Sequence, residues 1–565
     1  MEGKPLEEAL VRSIERDIDA AFRKTLGITG LWKSTLRSAA LDIMEELLTG
    51  HGTTTDASSV SLKSYSLNVV NGCNVLLRQI EILGSDTKTV LPPDLEARMK
   101  RAIAASSLYT TVEDAYTSYS RGYAKAVLLA KESVCFDTPG TELDARLRFF
   151  GSISSSSDRI ADKQVALQLP DLMVKEHGEK MVQTLLNSKI EQMGGLQYSM
   201  DKTLLHDFSE GYRSFFADII EMPMNTVLGD TTLDGVVRAY SMLCAASHLH
   251  KWITVLSKPP EMQRSPNWPS LWRQESAWKQ LLAQVCPIDQ VDALVDLFLF
   301  DPNRLDADVS LTPFVNLGEG YLALSPTAVL RSNFPRNVLA LLIRKFPNEY
   351  STYTSGREKA LLASAKDVLG KHWIGAGVQL PKWKGKQLPD VDLLLGGPDP
   401  GKFVVCEVKW QLSGSSTREV INRDEYLRKG LHQLEQIREF LIAHPSFLKD
   451  RGLTNHVTTS SDFEYVLLCK GHLGSETVQS DGILKCDYDV FCRSVTEHGV
   501  LSALTLARDN SYLPKLGVDF TLEPISVRFG RWRLSWWTLL SVALPEDDET
   551  NMVTDFYIDS AEFLQ

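Results

Sequence analysis

The sequence predicts an α/β core, a mixed sheet flanked by helices, in its C-terminal half, preceded by a large, mainly α-helical N-terminal region. Three observations point there. Helical periodicity dominates roughly the first three hundred residues. Short apolar runs of strand length gather between Trp373 and Cys492. A chain of 565 residues that is 43% hydrophobic carries enough apolar material for about two to four domains.

In order, amphipathic runs predict helices over Leu6 to Leu26, Ser38 to Leu48, Leu95 to Ser107, Thr110 to Lys131, Met181 to Ile190, Gly211 to Ile220 and Leu233 to Leu256. Strand-like alternation is confined here to Ser61 to Val70 and Asp144 to Ser152. Gly52 to Ser59 and Ser152 to Ser157 read as polar loops, and the prolines from Pro259 to Pro269 break the helical pattern. The region has no repeat of fixed period, no phosphate-loop motif and no kinase motif. Its expected role is recognition or assembly, through a protein partner or a second copy of the chain.

A boundary is expected near residue 300. Segment 301–350 reads as a hairpin (Ser310 to Asn316, Gly320 to Leu324) and a helix (Ala328 to Phe346, interrupted by Pro335), packed as an extension against the following domain. That domain, 351–510, opens with a helix from Arg357 to Leu369 that Gly370 terminates. Strands follow at Trp373 to Leu380 and in two acid-bearing runs. Next come a long helix from Asp424 to Ala443 and strands at Phe463 to Cys469 and Ile483 to Cys492. A β-rich extension, 511–565, closes the chain with an acidic tail at Pro545 to Glu549. In it Arg528, Arg531 and Arg533 alternate with Phe529, Trp532 and Leu534, which fits an amphipathic strand and, less well, a base-stacking surface.

The acid-bearing strands carry the chemistry. Pro389-Asp390-Val391-Asp392 leads into Leu393 to Leu395, and Phe403 to Cys406 leads into Glu407-Val408-Lys409. Residues i and i+2 of a strand share a face, so Asp390 pairs with Asp392 and Glu407 with Lys409. The apolar flanks imply burial, and buried charges must be paired or bind a metal. Two carboxylates on adjacent strands suit a hard cation such as Mg²⁺, which polarises a phosphate and lowers the pKa of bound water. A neighbouring lysine orients that water or stabilises charge on the phosphate.

These residues resemble the PD-(D/E)XK nuclease superfamily, the restriction-endonuclease-like group, in Pro389-Asp390-x-Asp392 followed by Glu407-x-Lys409. The order helix, three strands, helix, strand over about residues 350–495 resembles it too. The resemblance implies a restriction-endonuclease-like fold and hydrolysis of phosphodiester bonds with Mg²⁺ or Mn²⁺. It implies Asp392, Glu407 and the Val408 carbonyl as metal ligands and Lys409 as catalytic lysine. Asp390 shares the face of Asp392 and is the alternative ligand. Glu358 occupies the place of a first-helix glutamate that reaches the metal in relatives, yet Ser355-x-x-Glu358 is also a capping box. Gln433, on the following helix, matches a positioning glutamine of some relatives; a polar helix edge explains it equally. DNA is the expected substrate and endonucleolytic cleavage the expected mode. A restriction or anti-phage role is expected by analogy. The other readings are an inactive nuclease-like scaffold, an assembly subunit, and an RNA substrate.

A net charge of −12 argues against general coating of nucleic acid. Residues 351–450 nevertheless hold 15 Lys or Arg against 12 Asp or Glu. Lys382, Lys384 and Lys386 surround Trp383 in a loop that is either a phosphate contact or a solvated turn. The eight cysteines lack Cys-x-x-Cys spacing and read as reduced core residues of a cytoplasmic protein. His248-x-His250 lacks partner ligands and reads as structural. No signal core and no run of about eighteen apolar residues appears, so no membrane partner is expected.

Overall fold

The computed structural model describes residues 4–50, 59–137, 142–151, 202–256 and 270–541. It also describes the short strands at 189–190 and 196–197, and breaks at 221, 306, 398, 400 and 413–416. The expectations for residues 52–58, 152–188 and 259–269 and for the acidic tail fall outside those residues. Of the helix expected over Met181 to Ile190, only the last two residues are described, and they are strand, paired with Leu196–Gln197.

Four helices begin the chain: α1 (Glu8–Leu26), α2 (Lys33–Gly50), α3 (Ser59–Leu83) and α4 (Leu95–Ser120). Val11, Ile14, Ile18 and Phe22 form the buried stripe of α1 and pack on Met99, Ile103 and Val112 of α4. The strand expected over Ser61 to Val70 is helix instead. Val69, Cys73, Leu76 and Ile80 recur at three- and four-residue steps and bury together, and that packing overrides the weak helix preference of the Ser/Val run. The helix expected to reach Lys131 ends at Ser120, followed by Gly122 at φ 78°.

Strands β1 (Lys4–Pro5), β2 (Lys125–Ala130) and β3 (Ser133–Asp137) then form one side of a sheet. The helix α5 (142–151) replaces the strand expected over Asp144 to Ser152. Leu143, Leu147 and Phe150 face one core while Ala145 and Phe149 face Phe520. A helix wedged between two cores carries two apolar stripes, and together they imitate a period of two. Helices α6 (Lys202–Ile219) and α7 (Leu233–Leu256) form the centre of a second, largely helical core, which the strand residues Leu271, Leu322 and Leu324 also enter.

Strand β4 (Leu271–Gln274) pairs with the expected hairpin, β5 (Val315–Gly318) and β6 (Tyr321–Leu324). The helix expected over Ala328 to Phe346 is split into Pro326–Arg331 and α8 (Phe334–Lys345), with Pro335 in the first turn of the second. Phe334, Val338 and Leu341 bury against α6 and α7. Segment 301–350 therefore packs chiefly on the N-terminal cores rather than on the following domain, which it touches through Leu311 and Ala340 against Trp410 and Leu412.

The mixed sheet comprises β7 (Trp373–Val378), β8 (Val391–Gly396), β9 (Phe403–Trp410), β10 (Phe463–Lys470) and β11 (Ile483–Asp487), in that spatial order. The pairs β7–β8 and β8–β9 are antiparallel, and β9–β10 and β10–β11 are parallel. Helix α9 (Pro347–Leu369) precedes the sheet, α10 (Thr417–Ala443) crosses between β9 and β10, and α11 (Tyr488–His498) and α12 (Val500–Asp509) follow. Leu427, Leu431, Leu434 and Ile437 of α10 cover one face, over Val405 and Leu467. Ala365, Phe491 and Ala503 cover the other, over Val404, Cys406 and Val408. All eight residues of β9 are buried, as a central strand covered on both faces requires. The strand expected to reach Cys492 stops at Asp487, whose side chain caps α11 by accepting the N–H groups of Asp489 and Val490.

The C-terminal hairpin, β12 (Phe520–Phe529) and β13 (Trp532–Ser541), does not close the domain beside it in sequence. It completes the first sheet, in the order β1-β2-β3-β13-β12, with Leu534 opposite Val134. Phe529, Trp532 and Leu534 enter the α1–α4 core, and the Arg531 guanidinium bonds Asp17 at 2.5 Å.

Candidate functional site

The β8–β9 register pairs Leu393 with Cys406, so one step further Asp392 stands opposite Glu407. The ladder ends there, which frees the backbone of β9 beyond Cys406 on its β8 side. Two carboxylates take the freed donors. Asp392 Oδ2 accepts the Val408 N–H at 2.8 Å, and Glu358 Oε1 accepts the Trp410 N–H at 3.2 Å. N–H and C=O of one strand residue point to the same side, so the Val408 carbonyl opens between those two acids.

Glu358 reaches this position because α9 starts at Pro347, ten residues before the expected start. Ser355 is thus internal to the helix, the capping box does not form, and Glu358 is aimed across at β9. It also accepts the Tyr426 hydroxyl of α10 at 3.0 Å. A single carboxylate therefore ties α9, β9 and α10 together.

On the α10 side of β9, Lys409 Nζ donates to Glu407 Oε1 at 2.5 Å. The ammonium also lies 5.6 Å from the centre of the Tyr426 ring. Gly430 lets α10 come this close: a Cβ there would meet Leu467 Cδ1 at 2.9 Å and Lys409 Cε at 3.1 Å. Glu407 is 2% exposed, and its second oxygen, Oε2, is buried without a hydrogen-bond partner among the described residues.

The electrostatics follow from crowding. Burial pushes the Glu407 carboxyl up to about 8, Asp392 adding to the shift and Lys409 opposing it. Burial likewise raises Asp392 against the pull of the Val408 amide and Lys409. Burial lowers the Lys409 ammonium, but Glu407, Glu358 and Asp392 outweigh it and hold the group above its ordinary value.

The structure thus brings together Glu358, Asp392, Glu407, Val408 and Lys409. Asp390 is exposed at the strand start, outside this set of hydrogen bonds. Gln433 lies half-buried on α10, three residues past Gly430, and no hydrogen bond joins it to the cluster. The lysine-rich loop folds back as a small hairpin, with Lys384 over the Trp383 ring at 3.9 Å and 3.4 Å from Glu439. Tyr426, Gly430 and the Trp410 amide had no signal in the sequence, because each matters only through a contact with a distant segment.

No family model, characterised protein or solved structure matches this chain.

Among the described residues, no three Asp, Glu, His or Cys side chains are gathered as a ready-made metal centre. The orphaned Oε2 of Glu407 still fits a cation. A buried carboxylate oxygen without a donor is costly to ionise; the proton that Glu407 keeps up to about pH 8 relieves that cost, and a hard divalent ion would relieve it too. Asp392, Glu407 and the Val408 carbonyl are the oxygens that would hold it.

Proposed function

We propose that the chain is a metal-dependent nuclease that hydrolyses phosphodiester bonds, with DNA as the favoured substrate and endonucleolytic cutting the favoured mode. The observation that carries this reading is the convergence of Glu358, Asp392, Glu407 and Lys409 at the point where β8 and β9 part, with Glu407 Oε2 left unpaired. Strand order and strand directions in the mixed sheet, with α9 before it and α10 crossing over, support the likeness to restriction-endonuclease-like cores. A role in restriction or anti-phage defence rests on that likeness.

A bound Mg²⁺ or Mn²⁺ would supply positive charge to the phosphate oxygens and acidify water. The chain's own residues do the rest. Lys409, held protonated by three carboxylates, acts as a cation and donor toward the phosphate rather than as a base. Glu358, anchored by Trp410 N–H and the Tyr426 hydroxyl, fixes the end of β9 against α9. Asp392 is oriented by the Val408 amide.

The test is cleavage of circular and linear DNA, single- and double-stranded, with Mg²⁺ or Mn²⁺, followed by an RNA panel. Metal-dependent cutting lost in both Lys409→Ala and Asp392→Ala, with folding retained, supports the reading. Cutting that survives both substitutions, or no cutting of any substrate by the wild type, removes it.

A further inference from the structure

A cavity of about 1510 Å³ is lined by α1, α3 and α4 together with α10 and the end of β9. It borders the site directly. Trp410 and Tyr426, whose N–H and O–H both bind Glu358, form part of its wall. Gln411 lies next along the β9 edge, two residues beyond Lys409, and also lines it. Resting on the nuclease reading, we infer that this cavity binds single-stranded nucleic acid, with Arg423 gripping a backbone phosphate beside the catalytic cluster.

Two unpartnered polar atoms mark the spot. Arg423 is 9% exposed and Gln411 6%, and both line the cavity. Among the described residues, Arg423 Nη1 and Gln411 Oε1 are buried with no hydrogen bond. The other end of the guanidinium, Nη2, reaches Glu419 at 3.4 Å, but Glu419 is shared: Arg336 bonds it at 2.7 Å and Arg344 stands at 3.9 Å. A carboxylate shared in this way only partly meets the charge of Arg423, and a planar fork with a free N–H matches a phosphate oxygen. Arg423 precedes Tyr426 by three residues on α10, about 4.5 Å along the helix axis. A phosphate on Arg423 is therefore close to the residue that closes off the catalytic cluster.

The walls differ in sign. The α1 and α4 residues that line the cavity include Glu8, Glu15, Asp19, Glu113 and Asp114, with Arg12 the only basic residue among them. Arg78 of α3, which also lines the cavity, offsets Glu113; the remaining acids of that wall disfavour a phosphate backbone and suit base amino donors. The same wall also presents Tyr109, Tyr116 and Tyr119, of which Tyr109 already has one face stacked on Phe22 and the other two pack against Phe136. A single strand satisfies both walls, its phosphates toward α10 and its bases toward α1 and α4. A duplex carries phosphates on both flanks and would set one backbone on the acidic wall. Volume agrees: a small-ligand pocket starts at about 300 Å³, so there is room here for about four or five nucleotide-sized units.

The experiment is fluorescence anisotropy on the full chain without divalent metal, so that binding is read apart from cutting. Probes are a 12-mer single-stranded DNA, a 12-mer single-stranded RNA and the matching DNA duplex. The inference expects one of the single strands to bind at least about tenfold tighter than the duplex, and the tighter one identifies the sugar. Arg423→Gln should weaken it by about 10- to 100-fold and reduce the slope of log K against log salt by about 0.7. Thr117→Trp, on the far wall, should also weaken binding by filling the cavity, and serves if Arg423→Gln does not fold. Equal or tighter duplex binding, or strand binding untouched by the substitutions, overturns the inference. Cutting with unaltered binding in Arg423→Gln defeats this inference and leaves the nuclease reading standing. Strand binding that needs Arg423, without cutting of any substrate, does the reverse.

Discussion

Glu358 of α9 and Trp410 at the end of β9 are joined by a 3.2 Å bond from the Trp410 amide to the Glu358 carboxylate. The amide has no strand partner there, so the carboxylate takes the place of a missing neighbour. Glu358→Ala should leave the Trp410 N–H and the Tyr426 hydroxyl unsatisfied and lower stability by about 2–4 kcal/mol. Glu358→Gln keeps an acceptor, and its loss should be under about 1.5 kcal/mol. Urea unfolding of the two variants checks this; equal losses would mean that the bonds contribute little.

Lys409 donates to Glu407 in a buried pair. Lys409→Ala should reduce cleavage by about 10²–10⁴-fold and also destabilise the protein, because it leaves the Glu407 carboxyl without its donor, and more so above about pH 8, where that carboxyl is ionised. Lys409→Ala combined with Glu407→Gln should regain most of the stability and none of the activity. The double-mutant cycle, read by both unfolding and cleavage, separates the two roles.

The pH dependence has a definite sign. The folded protein holds the Glu407 proton up to about pH 8, whereas the unfolded chain releases it near the ordinary glutamate value of 4.5. Between those limits the folded state binds the extra proton, so stability of the metal-free protein falls as pH rises, by roughly 2–5 kcal/mol. Glu407→Gln should flatten that slope in denaturant titrations from about pH 5 to about pH 8.5. Mg²⁺ should raise the melting temperature more at about pH 8.5 than at about pH 6.

Gly430→Ala tests the approach of α10 to β9. The new Cβ falls 3.1 Å from Lys409 Cε and 2.9 Å from Leu467 Cδ1, so α10 or the lysine must shift. We expect a loss of about 1–3 kcal/mol in stability and a larger proportional loss in kcat. Unchanged kcat with lowered stability would show that the lysine accommodates the methyl without moving.

Leu534→Ala addresses the architecture. This residue is fully buried in the α1–α4 core despite lying near the chain's end. Its truncation should cost about 2–5 kcal/mol. Hydrogen exchange should rise in β2 and β3 before it rises in β9 and β10; the opposite order would place the hairpin with the sheet of β7 to β11.

Much of the C-terminal half was legible because local pattern and burial agree there. The helical stripe of Leu427, Leu431, Leu434 and Ile437 predicted α10, and the continuous apolar run of Phe403 to Cys406 predicted a strand buried on both faces. Alternation placed Glu407 with Lys409, whereas Asp390, paired with Asp392 by the same rule, lies exposed just before the strand and outside the cluster. Helix α5 misled the same reasoning, since two apolar stripes on one helix look like a strand when the second core is unknown. Glu358 was legible as a polar residue at a promising place, but its role as a cap or a ligand to β9 depended on where α9 begins.

The sequence by itself determined the mixed character of the domain, the identity of its main strands and the face shared by Glu407 and Lys409, because these depend on periods of two and 3.6 residues. Tertiary structure alone decided that Tyr426 and Trp410 meet Glu358, that Gly430 admits Lys409, and that β13 joins β3 across roughly four hundred residues of chain. It also decided that acids of α1 and α4 line one cavity with Arg423 of α10. The physical reason is that an amphipathic element states which of its sides must be buried but not against what; that choice is made by shape and charge complementarity between segments that no local period connects.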